Sequence, residues 1–370
     1  MKILVTGTHF TTALAVIEEL KKYKEADIVY VGRNNTMEGD VSSSVESVVL
    51  PEIGIKFISI IAGRLQKSFT PYTIPSLLKI PVGFIQAFFI ILVEKPQVIL
   101  SFGGYVSVPV VFMAWLLSIP IIIHEQTIVT GLANKISSWF ADKIAISFSE
   151  IELSKNSKAI LTGNPIRHEV IKYYQGVNVN HPGGDIASHH RLPVMLVTGG
   201  NQGSHVINVA VERCLKKLFK MVSVIHQTGD SKFKDFERLK KLENEKYKVY
   251  KWIDNMGVVM KSVDLVVSRA GINTLAELAI LGKPALVIPI PYLYQDEQVK
   301  NAEYFEKLGL VRILPQAKLN SETILKSIKS CLNDLNHLNE SAKKAKSVII
   351  PDASKRVALE TILLGRQVEV

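Results

Sequence analysis

The stretch from Val263 to Asn301 carries the residue types a phosphate site needs, in a usable order. An apolar run, Val263 to Val267, turns through Ser268, Arg269, Ala270 and Gly271 into a helical pattern over Ile272 to Leu281, which Gly282 and Pro284 stop. A second apolar run, Ala285 to Ile290, follows, and then Asp296, Glu297 and Gln298. Strand, glycine turn, helix and strand form the βαβ unit of a parallel sheet. Such a unit aims a helix N-terminus at the carboxyl edge of its sheet. Free N–H groups near Ile272, Asn273 and Thr274, backed by the helix dipole, would there favour a diphosphate. Gly271 lets the backbone approach it closely. Glu277 lies roughly one and a half turns further in. Its carboxylate would repel a phosphate, which places it against sugar hydroxyls, as acids are placed in other nucleotide sites. A structural βαβ unit with a surface Glu277 is the plain alternative.

Four other places could carry chemistry. Gly199-Gly200-Asn201-Gln202-Gly203 is a glycine-rich turn entering a helix, a weak signal by itself. Gly163-Asn164-Pro165-Ile166-Arg167 would bring a guanidinium toward a cleft, and its planar, permanently charged fork suits phosphate. His124-Glu125-Gln126 follows a strand end, so His124 either faces the cleft or is a core histidine satisfied by its neighbours. His9 lies in the first strand-to-helix turn, a common position for a catalytic side chain. His181, His189 and His190 sit in breaker-rich polar sequence with only Asp185 as a nearby acid, and they are not read as a metal site.

The elements that must position these residues come in two alternating series. The chain has 370 residues, 47% hydrophobic and 21% charged, enough for two cores. Ile3 to Val5, Ile28 to Val31, Gln97 to Leu100 and Ile119 to His124 read as strands of a first domain over residues 1–165, with a helix over Ala13 to Lys22. A linker or loop spans 166–193, including the aperiodic run Gly176 to Gly184. A second domain over 194–353 has strands at Met195 to Thr198, Val222 to Gln227 and Lys248 to Tyr250, and holds the βαβ unit above. A C-terminal helix near Ser354 to Leu364 is expected to pack back on the first domain. The fold class is therefore α/β, with two Rossmann-like, doubly wound domains facing across a cleft.

Cys214 and Cys331 are too few for a disulfide framework and have no metal spacing, which points to a reducing compartment. The N-terminus enters a strand directly and lacks the features of a signal peptide, so a cytoplasmic location is expected. A net charge of +10 fits nucleic acid, anionic lipid or an anionic substrate. No nucleic-acid module is visible, and the basic residues are not interleaved with aromatics as a stacking platform requires, so nucleic acid is set aside. Ile80 to Val93 is strongly apolar but too short to span a bilayer; a buried helix is the favoured reading. The alternative is a helix dipping into the membrane interface, which Lys67, Phe69, Tyr72 and Lys79 would suit.

Taken in order, these blocks resemble the MurG family of GT-B glycosyltransferases, the N-acetylglucosaminyltransferases of bacterial peptidoglycan synthesis. The resemblance runs from Met1 to about Leu364. It rests on Ser101-Phe102-Gly103-Gly104-Tyr105-Val106-Ser107, His124-Glu125-Gln126, Gly163 to Arg167, Gly199 to Gly203, His226-Gln227-Thr228-Gly229, Ile253-Asp254-Asn255-Met256, Ser268 to Glu277, and Asp296-Glu297-Gln298 with Asn301. It implies a UDP-N-acetylglucosamine donor held mainly by the second domain. Ile253 would contact uracil, Glu277 the ribose hydroxyls, Ile272, Asn273, Thr274, Leu275 and Ala276 the diphosphate, and Gln298 the sugar. Thr127, Arg167 and Asn201 complete the implied donor set. The implied acceptor is an undecaprenyl-pyrophosphoryl-muramyl pentapeptide (lipid I), met by Gly7, Thr8, Gly103, Gly104, Tyr105, His124, Glu125, Gln126 and Asn134. Its hydroxyl would attack the anomeric carbon with inversion, and His9 would take the proton. The resemblance implies no metal or other cofactor, and a peripheral position on the cytoplasmic face of an anionic membrane.

Four departures from the family pattern stand out, one of them the Val177 to His190 insertion, which has no family counterpart. The glycine-rich loop before the histidine is shortened to Thr6-Gly7-Thr8-His9, Thr127 stands where asparagine is usual, and Asn201 stands where serine is usual. Other readings of the same fold are an isomerase of the UDP-N-acetylglucosamine 2-epimerase kind and a non-catalytic nucleotide-sugar-binding protein.

Overall fold

The computed structural model describes residues 1–34, 44–63, 73–176, 192–200, 202–230 and 232–367. The chain forms two compact units, Met1–Arg167 with Ile350–Val370, and His168–Ile349.

The first unit is built on a seven-stranded sheet of β1 (Lys2–Thr6), β2 (Asp27–Gly32), β3 (Lys56–Ser59), β4 (Val98–Ser101), β5 (Ile121–Glu125), β6 (Lys143–Ile146) and β7 (Ala159–Leu161), in the order β3-β2-β1-β4-β5-β6-β7. Neighbouring strands are parallel, with Thr6 beside Val31 on one side and Ser101 on the other. Ile3, Leu4, Val5, Ile99, Leu100, Ile122 and Ile123 are buried. Helices cover both faces of such a sheet, so its inner strands read as continuous apolar runs. The second unit repeats the plan with β8 (Val194–Thr198), β9 (Ser223–Gln227), β10 (Tyr247–Tyr250), β11 (Leu265–Ser268), β12 (Ala285–Val287) and β13 (Val311–Ile313), all parallel, in the order β10-β9-β8-β11-β12-β13. In each sheet the strand order reverses beside the first strand, at β1/β4 and at β8/β11. Ligands of open α/β sheets bind outside the carboxyl ends of the strands at such a switch point.

Several expectations need correction. The helix expected from Ala13 starts at Phe10. The run Ala285 to Ile290 stays a strand only to Val287, because Pro289 and Pro291 lack the N–H that a ladder needs. Residues 166–193 are not all linker. His168–Tyr174 is a helix of the second unit, and a Cβ on Gly257 would lie 2.8 Å from the Val170 side chain, so only glycine permits this close packing. The chain returns to the first unit at Ile350, where the Ala353–Arg366 helix buries Val357, Ala358, Ile362 and Leu364 in the same core as Ile3 and Val5.

The apolar stretch is a helix of 22 residues, Thr73–Glu94, continuous through Pro81, and it is not a core helix. Ala87 and Ile91 are buried, while Leu78 is 68% and Val93 74% exposed, with Val82, Ile85, Phe89 and Leu92 also open. Its 18-residue segment Leu77–Glu94 is long and apolar enough to cross a membrane by length and composition. Phe84 packs edge-on against Phe112, which meets Trp115 and Phe140, so the apolar surface continues onto Trp115, Leu116 and Trp139. Of the cationic and aromatic residues expected beside it, Lys67, Phe69 and Tyr72 lie outside the described residues; Lys79 sits on the helix itself.

Candidate active site

At the switch point of the second unit, β11 runs through Ser268 and Arg269 into the Ile272–Leu281 helix, with Gly271 as N-cap. Gly271 has φ −68° and ψ 134°, no side chain caps the helix, and a Cβ placed there would meet nothing within 4 Å. The mouth of this helix is therefore open. Leu275 donates its N–H to the Gly271 carbonyl at 3.0 Å, so the first helical bond closes there. Ahead of it, the N–H groups of Ile272, Asn273 and Thr274 have no acceptor within the helix and point toward its mouth. Leu275 and Ala276, implied with Ile272 in the diphosphate cradle, have buried side chains, as Ile272 does, so this part of the helix would meet a ligand through its backbone. Glu277 is 3% exposed, which excludes a surface carboxylate. The helix ends at Gly282 in the left-handed region, φ 64°, as its sequence required. Arg269 is buried and donates from Nη1 to the Ile288 carbonyl at 2.9 Å, fixing the turn after β11 to the end of β12. Beyond β12, Gln298 lies in the first turn of the Glu297–Lys307 helix. Its Oε1 accepts from the Ile290 N–H at 3.1 Å, which orients the side-chain amide nitrogen.

The neighbouring loops are held by a residue that the sequence reading left without a role. Gln227, buried at the end of β9, accepts the Ile253 N–H on Oε1 at 2.9 Å and donates from Nε2 to the Gly200 carbonyl at 3.3 Å. One side chain thus sets the spacing between the Gly199–Gly200 turn and the loop of Ile253. The glycines there are a packing requirement. Gly203 has φ 72°, and a Cβ on it would sit 1.9 Å from the Thr228 carbonyl oxygen; one on Gly229 would sit 2.4 Å from the Gly203 nitrogen. Asn201 lies outside the described residues.

In the first unit the corresponding edge holds Gly7, Thr8 and His9 after β1, and Gly103, Gly104 and Tyr105 after β4. Gly7, at φ 145°, lets the turn press against Phe102, and its carbonyl accepts the Tyr30 hydroxyl at 2.9 Å. Thr8 donates its N–H to the Gly103 carbonyl at 3.0 Å, and its Oγ1 fills the space a Gly104 side chain would need. The shortened loop is thus closed on its neighbour. His9 is the N-cap residue of the Phe10–Leu20 helix and keeps part of its surface open. The surrounding protein pushes its pKa down to about 4, first by desolvation and then through the Arg33 guanidinium. His9 is therefore neutral at pH 7 and able to accept a proton.

His124, Glu125, Gln126, Thr127 and Asn134 are all buried. His124 is the core histidine of the two readings: Nε2 lies 3.3 Å from the Gly163 carbonyl and 3.4 Å from Ser147 Oγ, and burial pushes its pKa down to about 4. Glu125 Oε1 accepts the Thr127 N–H and hydroxyl at 3.0 and 2.9 Å; Oε2 accepts the Gly131 N–H and Asn134 Nδ2 at 3.0 and 3.1 Å. Gln126 Oε1 accepts the Thr12 hydroxyl at 2.7 Å. These side chains shape the loop after β5 from within. Thr127, implied as a donor contact, has its hydroxyl turned into that loop, within bonding distance of Glu125 and the Val129 carbonyl (2.6 Å). Arg167 is half-buried at the end of the first unit. His181, His189 and His190 lie outside the described residues. Among the described residues, no group of three or more His, Cys, Asp or Glu side chains could hold a metal ion.

Two doubly wound parallel sheets, each with glycine turns and helix N-termini at its switch point, define a two-domain Rossmann-like α/β protein. The Glycosyltransferase family 28 N-terminal domain matches residues 3–146 and the Glycosyltransferase family 28 C-terminal domain matches residues 194–357. A Bacillus cereus protein named UDP-N-acetylglucosamine--N-acetylmuramyl-(pentapeptide) pyrophosphoryl-undecaprenol N-acetylglucosamine transferase 1 is 34% identical over 96% of this chain and 97% of its own length. A Clostridium kluyveri transferase of the same kind is 33% identical over 96% and 97%. The chain belongs to glycosyltransferase family 28. The crystal structure of Acinetobacter baumannii MurG shares its fold, with TM-score 0.72 at 23% identity, over 98% of this chain and 99% of that one. A Neisseria meningitidis UDP-GlcNAc 2-epimerase bound to UDP-GlcNAc also shares it, with TM-score 0.63 at 16% identity, over 98% and 100%.

Proposed function

We propose that this glycosyltransferase moves N-acetylglucosamine from UDP-N-acetylglucosamine to the muramyl sugar of lipid I, making the disaccharide-lipid of peptidoglycan synthesis. The observation that carries this reading is the 34% identity, nearly end to end, with a relative whose name states that transfer. The open helix mouth after Gly271 gives it a physical basis. The donor diphosphate sits on the N–H groups of Ile272, Asn273 and Thr274, with the ribose at Glu277, uracil at Ile253 and the sugar at Gln298. Arg167 adds a cation to the nucleotide.

The acceptor hydroxyl oxygen forms a bond to the anomeric carbon as the bond from that carbon to the phosphate oxygen breaks, with inversion. The electron pair leaves on UDP, and the hydroxyl proton passes to neutral His9. The helix dipole and Arg167 stabilise the charge developing on UDP, so the step uses no metal.

The exposed apolar surface of the Thr73–Glu94 helix, with Trp115, Leu116 and Trp139, supports docking on the cytoplasmic face of an anionic membrane, where a lipid-linked acceptor resides. Incubation with UDP-N-acetylglucosamine and lipid I tests the reading. It requires equal amounts of UDP and disaccharide-lipid. Conversion of the donor to its 2-epimer without lipid product identifies the isomerase, and binding without turnover identifies a non-catalytic protein.

A further inference from the structure

One cation at the carboxyl edge of the first sheet is absent from the candidate residues above. β2 runs parallel to β1 with Thr6 beside Val31, and continuing that register brings Arg33 level with the Thr8–His9 turn. Arg33 is held there on two sides. Its Nε donates to Glu46 Oε1 at 3.3 Å, and its carbonyl accepts the Ser44 hydroxyl at 2.6 Å. Ser44 is the N-cap of the Val45–Glu52 helix and Glu46 lies, buried, in its first turn. The cation is therefore fixed by a helix start, while its side chain remains 23% exposed.

We propose that Arg33 binds the phosphorylated linkage of the acceptor, as a specificity-determining residue beside His9. A planar guanidinium carries five N–H donors, and this one keeps 23% of its side chain open, so a diphosphate can be added to the contacts that hold it. The closed Thr8 turn makes such a side chain necessary, because the Thr8 N–H is already spent on the Gly103 carbonyl.

The placement also has a consequence for the base. The groups that act on His9 are Arg33 on the β2 side and His124 from β5; Glu46 stands behind Arg33, and the Tyr30 hydroxyl is bound to the Gly7 carbonyl. Of the two causes that depress His9, burial is the larger and the Arg33 charge the second. An anion on Arg33 offsets the second, so the base strengthens as the acceptor arrives. The proposal rests on the glycosyl-transfer reading with His9 as base.

The test uses the full chain, with the wild type, Arg33→Gln and Arg33→Lys carried in parallel. In the transfer assay, Arg33→Gln raises KM for lipid I by roughly 10- to 100-fold, the loss of one charge-assisted hydrogen bond, and leaves KM for UDP-N-acetylglucosamine unchanged. Arg33→Lys recovers part of that loss. By NMR of the labelled imidazole, inorganic pyrophosphate raises the His9 pKa of the wild type but not of Arg33→Gln, whose own His9 titrates higher without ligand. An unchanged lipid I KM in Arg33→Gln, or a His9 pKa indifferent to pyrophosphate in the wild type, overturns the proposal. Absence of transfer by the wild type refutes the functional reading instead, and the pyrophosphate titration still decides whether Arg33 binds the anion.

Discussion

Replacing Gly271 by serine separates a structural role of the helix mouth from a binding role, because the two predict opposite signs. Gly271 already has the extended backbone of a serine N-cap, φ −68° and ψ 134°, and no capping hydrogen bond exists to be lost. A Cβ there meets no heavy atom within 4 Å beyond its own chain neighbours. The serine hydroxyl can accept the N–H of Asn273 or Thr274, which stabilises the helix by a few tenths of a kcal/mol relative to glycine. For a unit of this size that raises Tm by about 1 °C. The same contact removes a donor from the diphosphate and puts a side chain in its path. Losing one hydrogen bond to a charged group costs about 1.5–3 kcal/mol, so UDP binds roughly 10- to 100-fold more weakly. Uridine, which lacks the phosphates, should lose little. Thermal unfolding and calorimetric titration with UDP and uridine read both effects on one preparation. A variant with raised Tm and unchanged UDP affinity would refute the placement of the diphosphate.

Other outcomes follow from the same geometry. Gly203→Ala forces a side chain at φ 72° to within 1.9 Å of the Thr228 carbonyl; a loss of about 2–4 kcal/mol is expected, read as a lower denaturation midpoint. Buried His124 and His226 have pKa values pushed down by burial to about 4 and about 3. The unfolded chain then binds more protons than the folded one, so their contribution is complete above about pH 6.5 and is lost as pH falls toward 4. The combined slope is at most about 2.7 kcal/mol per pH unit, measurable as denaturation midpoints between pH 7 and 4. A midpoint independent of pH across that window would show that these histidines are not held neutral. Paired charges at Trp115→Glu and Leu116→Glu, both on exposed apolar surface, should reduce sedimentation with anionic vesicles at least roughly tenfold while leaving UDP binding intact.

Much of the fold was legible because both sheets are parallel and covered on two faces. Their strands are continuous apolar runs, and the glycine turns after β8 and β11 punctuate them visibly. The Ile272–Leu281 helix was readable to its ends for the same reason, with Gly271 before it and Gly282 after it. Hydropathy alone could not say which side of the Thr73–Glu94 helix would find a partner. A helix apolar on most of its surface looks the same whether it lies in a core or at a surface, and only the packing of Phe84 on Phe112 shows which face is inside.

The site was less complete. Backbone donors could be placed from the glycine turn, but side-chain direction could not. Thr127, His124 and Asn134 occupy conspicuous positions yet turn inward, drawn by Glu125 and the Gly163 carbonyl. Gln227 was visible within His226-Gln227-Thr228-Gly229, but its bridging of Ile253 and Gly200 depends on strand order, which brings β9 beside β8. Arg33 had one signal, a cation directly after a strand, and reading the carboxyl end of every strand would have found it.

The most direct measurement is a crystal structure of the chain soaked with UDP-N-acetylglucosamine. The account predicts diphosphate oxygens within hydrogen-bond distance of the amide nitrogens of Ile272, Asn273 and Thr274, with the ribose at Glu277. A nucleotide bound elsewhere on the second unit, with that helix mouth holding only water, would contradict it.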